Sequence, residues 1–76
     1  MIRVKEIVER VTRRVREDFN IEITEFMLMT DRVCFKLPDD LTRREVEVIA
    51  HAIGDALGIA VKPFGTPYRR GFHVKL

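Results

Sequence analysis

The chain has 76 residues, 46% hydrophobic and 34% charged, with 14 Lys and Arg against 12 Asp and Glu for a formal charge of +2. That length holds one hydrophobic core, so residues 1–76 are read as a single domain, and the composition excludes a disordered chain. A lone cysteine, Cys34, excludes an internal disulfide, no stretch approaches the ~20 apolar residues of a membrane span, and so small a basic excess does not by itself argue for nucleic acid. The start Met1-Ile2-Arg3-Val4-Lys5 lacks the apolar run of a secretion signal, and a reducing, cytoplasmic setting is expected.

Val4, Ile7, Val8, Val11, Val15 and Phe19 recur at spacings of three and four, which predicts a first helix with one apolar stripe. Its other face carries Glu6, Glu9, Arg10 and Arg13, placed for i,i+4 pairs, and Asn20 fits the left-handed position that ends a helix. Arg13, Arg14 and Arg16 have glutamate neighbours, so a salt-bridged solvent face is expected there rather than a phosphate track. Next, Ile21 and Ile23 alternate with polar residues, as do Val33, Phe35 and Leu37, which predicts strands over 21–29 and 33–37 joined by a turn near Thr30-Asp31-Arg32.

Thr42-Arg43-Arg44-Glu45 reads as a capping box, with Leu41 and Val46 spaced for a hydrophobic staple. Val46, Ile49, Ala50, Ile53 and Leu57 form the buried stripe of this second helix, and Gly58 ends it. His51 shares its polar face with Glu47 and Asp55, a set without a fourth ligand or enclosure, so no metal is expected. Strands follow over 59–62 and 72–76, where Ile59, Val61, Phe72, Val74 and Leu76 alternate with polar or small residues.

Offsetting the chain by half its length lays Val8, Val11, Val15, Phe19 and Asn20 on Val46, Ile49, Ile53, Leu57 and Gly58. Residues 1–38 and 39–76 are therefore read as α-β-β halves of a structural repeat. The expected fold is α+β: two helices on one face of a four-stranded, mostly antiparallel sheet, the ferredoxin-like arrangement circularly permuted so that its first strand comes last. Strands 21–29 and 59–62 would lie at the edges, the latter tolerating Pro63 beside it.

Such a sheet leaves one face without helices, and Cys34, Lys36, His73 and Lys75 fall on it, out of phase with the core. Residues 26–29 read Phe-Met-Leu-Met, apolar on both faces. A three-residue turn would pair Met29 with Val33 and Met27 with Phe35 and leave Phe26 and Leu28 beside Cys34 on the open face; a two-residue turn would pair Leu28 with Phe35 and leave Met27 and Met29 there instead. The first is preferred because it keeps Ile21 and Ile23 inward without a bulge. Phe26, Leu28 and Cys34 are then candidate interface residues.

Residues 63–71 read as a nine-residue loop holding two prolines, two glycines, Phe64, Tyr68 and the adjacent Arg69 and Arg70. Stacking surface beside cationic donors suits single-stranded nucleic acid. Cys34 and His73 would lie side by side, but no third residue orients them, so no catalytic role and no cofactor are expected. The leading expectation is a non-catalytic nucleic-acid-binding module using Arg69, Arg70, Tyr68, Lys36, Lys75, His73, Lys62 and Arg32. The alternative is a protein-interaction domain, such as a homodimer, inhibitor, adaptor or assembly subunit, using the open face.

Overall fold

The computed structural model describes residues 3–65 and 69–76. Helix α1 spans Val4–Phe19 and helix α2 spans Arg43–Leu57; strands β1 (Phe26–Leu28), β2 (Arg32–Leu37), β3 (Val61–Gly65) and β4 (Arg70–Lys75) form one antiparallel sheet in the order β1-β2-β4-β3. This is an α+β fold, with β1 and β3 at the edges as expected. No helix among the described residues is long and apolar enough to cross a membrane.

Both helix stripes fold as the spacing requires. Ile7, Val11 and Val15 of α1 and Val46, Ile49, Ala50 and Ile53 of α2 are buried in one cluster with Val33, Phe35, Leu37, Phe72 and Val74. Those strand residues alternate along β2 and β4, so a single face of the sheet carries the core. Each helix ends on a left-handed residue, Asn20 at φ 54° and Gly58 at φ 64°, whose N–H donates back to Arg16 O and Gly54 O respectively. The capping box is formed: Thr42 Oγ1 accepts from Glu45 N at 3.1 Å, and Glu45 Oε1 accepts from Thr42 N at 2.9 Å. Those bonds favour the ionised carboxylate and hold Glu45 below the usual range. On α1 the ion pair that forms among the described residues is Arg14–Asp18 at 2.7 Å, not the expected Glu6–Arg10 or Glu9–Arg13.

All four strands have other bounds than expected, β3 running Val61–Gly65 rather than 59–62 and β4 Arg70–Lys75 rather than 72–76, and the first hairpin has another register. The first strand begins at Phe26, not at residue 21. Its ladder with β2 runs back only to Glu25, whose carbonyl accepts from Lys36 N at 3.1 Å, and Pro38 beyond Leu37 has no N–H to extend it. Ile21 and Ile23 still pack against the core without belonging to the sheet. In the second hairpin Pro63, Phe64 and Gly65 belong to β3, and Arg70 and Gly71 to β4, so the expected nine-residue loop is a connection over 66–69. Pro63 is accommodated because Lys62 and Phe64 take the hydrogen-bonded positions opposite β4, while the ring nitrogen of Pro63 faces the free edge.

The register differs in the first hairpin. Phe26 pairs with Phe35, Met27 with Cys34 and Leu28 with Val33, and Met29 N donates to Arg32 O at 2.8 Å across a two-residue connection, Thr30-Asp31. Neither residue has a positive φ, and Leu76 N braces the turn by donating to Asp31 O at 2.9 Å. Phe26 and Leu28 therefore stand on the helix side, opposite the expected assignment, and Met27 and Met29 occupy the open face. Ile21 and Ile23 do not constrain this register, since both lie outside the strand.

Replacing Thr42 with Ala should lower the free energy of unfolding by about 1 kcal/mol. The shift would be read from the urea midpoint, and an unmoved midpoint would show the cap to be dispensable.

Candidate interaction surface

Antiparallel pairing puts directly opposed residues on the same face, so the open face is assembled from cross-strand rows. One row runs Met27, Cys34, His73, Lys62; a second runs Met29, Arg32, Lys75; a third runs Glu25, Lys36, Gly71, Phe64. The structure thus places Lys36, His73 and Lys75 beside Cys34 on the open face, the positions expected for them, and adds Arg32 and Lys62 to the same face. It does not bring Arg70 there. Arg70 opposes Leu37 and Gly65, placing it on the helix side, while Arg69 lies by the open face; one position of slip along a strand reverses the face. Tyr68 lies outside the described residues.

The face is divided in character. At the β1 corner a groove of about 310 Å³ is lined by Met27, Met29, Cys34 and Phe64, with Glu25, Lys36 and Arg69 supplying charge. Cys34 Sγ approaches Met29 Sδ to 3.6 Å. Gly71 leaves the room that Phe64 fills: a Cβ there would sit 2.8 Å from Phe64 Cζ and collide with the Phe35 carbonyl oxygen. The Phe64 ring stacks on His73, with centroids 6.5 Å apart. Sequence reasoning assigned Phe64 to a loop, because proline and glycine on either side resemble loop punctuation.

The cations are less available than their number implies. Arg32 grips Asp31 through two 3.0 Å hydrogen bonds, which raise the guanidinium pKa and lower that of the carboxylate. Lys36 Nζ lies 3.1 Å from Asp39 Oδ1. His73 Nδ1 is buried with no hydrogen-bond partner among the described residues. Burial, then the positive charges of Arg32 and Lys62, hold the imidazole below its ordinary pKa, so it is neutral at pH 7.

Among the described residues, four of the six exposed large apolar side chains lie on β1 and the residue that follows it. Phe26, Met27, Leu28 and Met29 are 53%, 57%, 56% and 46% exposed, consecutive and alternating between the two faces. Phe26 keeps one ring edge on the core, its centroid 6.3 Å from that of Phe35, but the helices do not extend over it. On α2, His51 and Asp55 approach to 3.4 Å in solvent, and among the described residues no three His, Cys, Asp or Glu side chains converge on a metal position. Compared with known proteins, the chain matches no family model, no curated protein and no solved structure.

The histidine sets a pH test. A folded-state pKa below the unfolded value near 6.5 means that the unfolded chain binds the proton first. Stability should therefore fall as pH drops through and below about 6.5. His73→Gln should flatten the dependence of melting temperature on pH in that window; an equal slope in both proteins would show that His73 is not the group responsible.

Proposed function

We propose that this chain is a non-catalytic protein-interaction domain that takes its partner along β1 and the apolar corner of the open face. The observation that carries this reading is the run Phe26–Met29: four consecutive large apolar side chains, each about half exposed, on an edge strand and the residue that follows it. Scattered exposed apolar residues are ordinary, but a contiguous two-sided run beside a groove is the pattern of an interface. Its composition fits as well. Methionine side chains are flexible and polarisable, which suits a surface that must fit another protein.

The nucleic-acid reading is second. It is favoured by the cations that share the open face, but two of them are already held by aspartates and Arg70 is on the other side. A phosphate track requires a row of cations free to release counterions. Phe64, the aromatic candidate for base stacking, lies against His73. Catalysis by Cys34 and His73 is disfavoured because a nucleophile–base pair needs the base oriented by a third group, and His73 Nδ1 has no hydrogen-bond partner among the described residues.

Within this reading the fold is a circularly permuted ferredoxin-like sheet, supported by the strand order and by both helices packing on one face. A structural repeat is supported by Asn20 and Gly58 as equivalent helix stops and by β2 and β4 at equivalent positions of the two halves. The two hairpins differ, one with a two-residue connection and the other with four residues between Gly65 and Arg70. A lone half-buried thiol fits a cytoplasmic setting.

The test pairs two measurements. Fluorescence anisotropy of a labelled mixed-sequence single-stranded oligonucleotide, titrated at low and high salt, should show no uptake at either. Tagged chain recovered from its own cells should retain a protein partner at high salt, its own untagged copy included, and Met27→Asp should remove that partner while Lys62→Ala does not. Uptake of the oligonucleotide at low salt, released at high salt and lost in the Lys62→Ala, Arg69→Ala double variant, would replace this reading with the second one.

A further inference from the structure

We infer that the partner of β1 is β1 of a second copy, paired antiparallel about a two-fold axis at Met27 to join two sheets into one of eight strands. The inference rests on the protein-interaction reading and adds the occupant. It follows first from the direction of the backbone groups. Met29 N donates to Arg32 O and Lys36 N donates to Glu25 O, so residues 25, 27 and 29 turn their amides and carbonyls toward β2. By the alternation of an antiparallel ladder, Phe26 and Leu28 turn theirs outward. The outer edge of β1 thus presents two donors and two acceptors, spaced as a β-ladder requires.

The sheet's two edges are treated differently. On β3, Pro63 occupies an outward position, where an N–H would otherwise be offered, so that edge is blunted. β1 has no proline and no charged residue within it. Edge strands are ordinarily protected by such devices, and a bare apolar edge invites pairing.

The strand is also its own complement. With Met27 on the axis, Phe26 of one copy opposes Leu28 of the other in the hydrogen-bonded position, twice, and all four outward groups of each strand are used. On the helix side, each half-exposed Phe26 then meets a half-exposed Leu28. On the open face Met27 meets Met27, and Glu25 lies beside Met29 of the other copy, so no like charges are opposed. The exposed parts of these four side chains amount to roughly 400 Å² per copy, taking about 200 Å² for each whole side chain. That is about half of a standard interface and predicts a dimer that dissociates on dilution.

Sedimentation equilibrium over a range of concentrations tests this directly, with salt dependence as a control. The expected result is a monomer–dimer equilibrium insensitive to salt. Leu28→Pro removes an outward N–H together with the leucine side chain that meets Phe26, and breaks no hydrogen bond of the β2 ladder, so it should weaken the dimer at least about tenfold, or ~1.4 kcal/mol, with an unchanged far-UV spectrum. As a second readout that keeps the edge intact, Met27→Cys in a Cys34→Ser background should cross-link between copies under mild oxidation much faster than Val48→Cys in the same background. A dimer that ignores Leu28→Pro and does not cross-link through position 27 would overturn the inference by placing the interface elsewhere. A monomer at every concentration would overturn it too. In that case the protein-interaction reading survives if a different protein is lost with Met27→Asp, and falls if the oligonucleotide is bound.

Discussion

The pairing of β2 with β4 sets Phe35 against Phe72, their rings stacked with centroids 5.4 Å apart and neither exposed to solvent, and the rest of the molecule is arranged around that contact. Aromatic rings of this size supply much of what a short chain can bury, and the offset stack fixes their geometry. Valines 33 and 74 and Leu37 extend the same face along the two central strands, and each helix lays three or four aliphatic residues across it. Among the described residues every side chain of the core cluster is apolar. Specificity comes from shape and from alternation along the strands.

That alternation has a cost on the other side. Each residue placed inward on β2 and β4 sends its neighbours outward, and two helices cover only one face. Cys34, Lys36, His73 and Lys75 therefore occupy the centre of a sheet surface without a second layer, and the chain manages it by local means. Phe64 folds over Gly71 and His73, and Lys36 and Arg32 lean to nearby aspartates. His73 Nδ1 is buried without a hydrogen-bond partner among the described residues, tolerable because the ring stays neutral among positive neighbours.

Much of this was legible in the sequence because it follows from local periodicity. The helix stripes, the left-handed stops at Asn20 and Gly58 and the capping box at Thr42 each depend on residues within one or two turns. Edge and centre were legible from strand order and Pro63. What could not be read was register. In Phe26-Met27-Leu28-Met29 every side chain is apolar, so no pattern says which pair faces inward, and Thr30-Asp31 lacks the glycine or asparagine that would announce a two-residue turn. The decision falls to contacts distant in sequence: Leu76 bracing the turn and Phe35 receiving Phe26. Arg69 and Arg70 illustrate the same limit. As neighbours in a sequence they looked like one cationic pair, and strand geometry sends them apart once the second of them joins β4.

The exposure of β1 is a consequence of size as much as of sequence. A chain of 76 residues buries only about 60% of the surface its unfolded form exposes, and two helices of about four turns are spent on β2, β4 and part of β3. Covering Phe26 and Leu28 from within would take another element. Had the strand been merely surplus, exchanging its large apolar side chains for charged ones would carry little penalty to the core, since each is already half in water. Lys62 and Pro63 show that on β3 the same chain does place a charge and a proline at an edge. The contrast between the two edges is what supports the proposed pairing of β1, and association is an economical way for so small a core to gain stability.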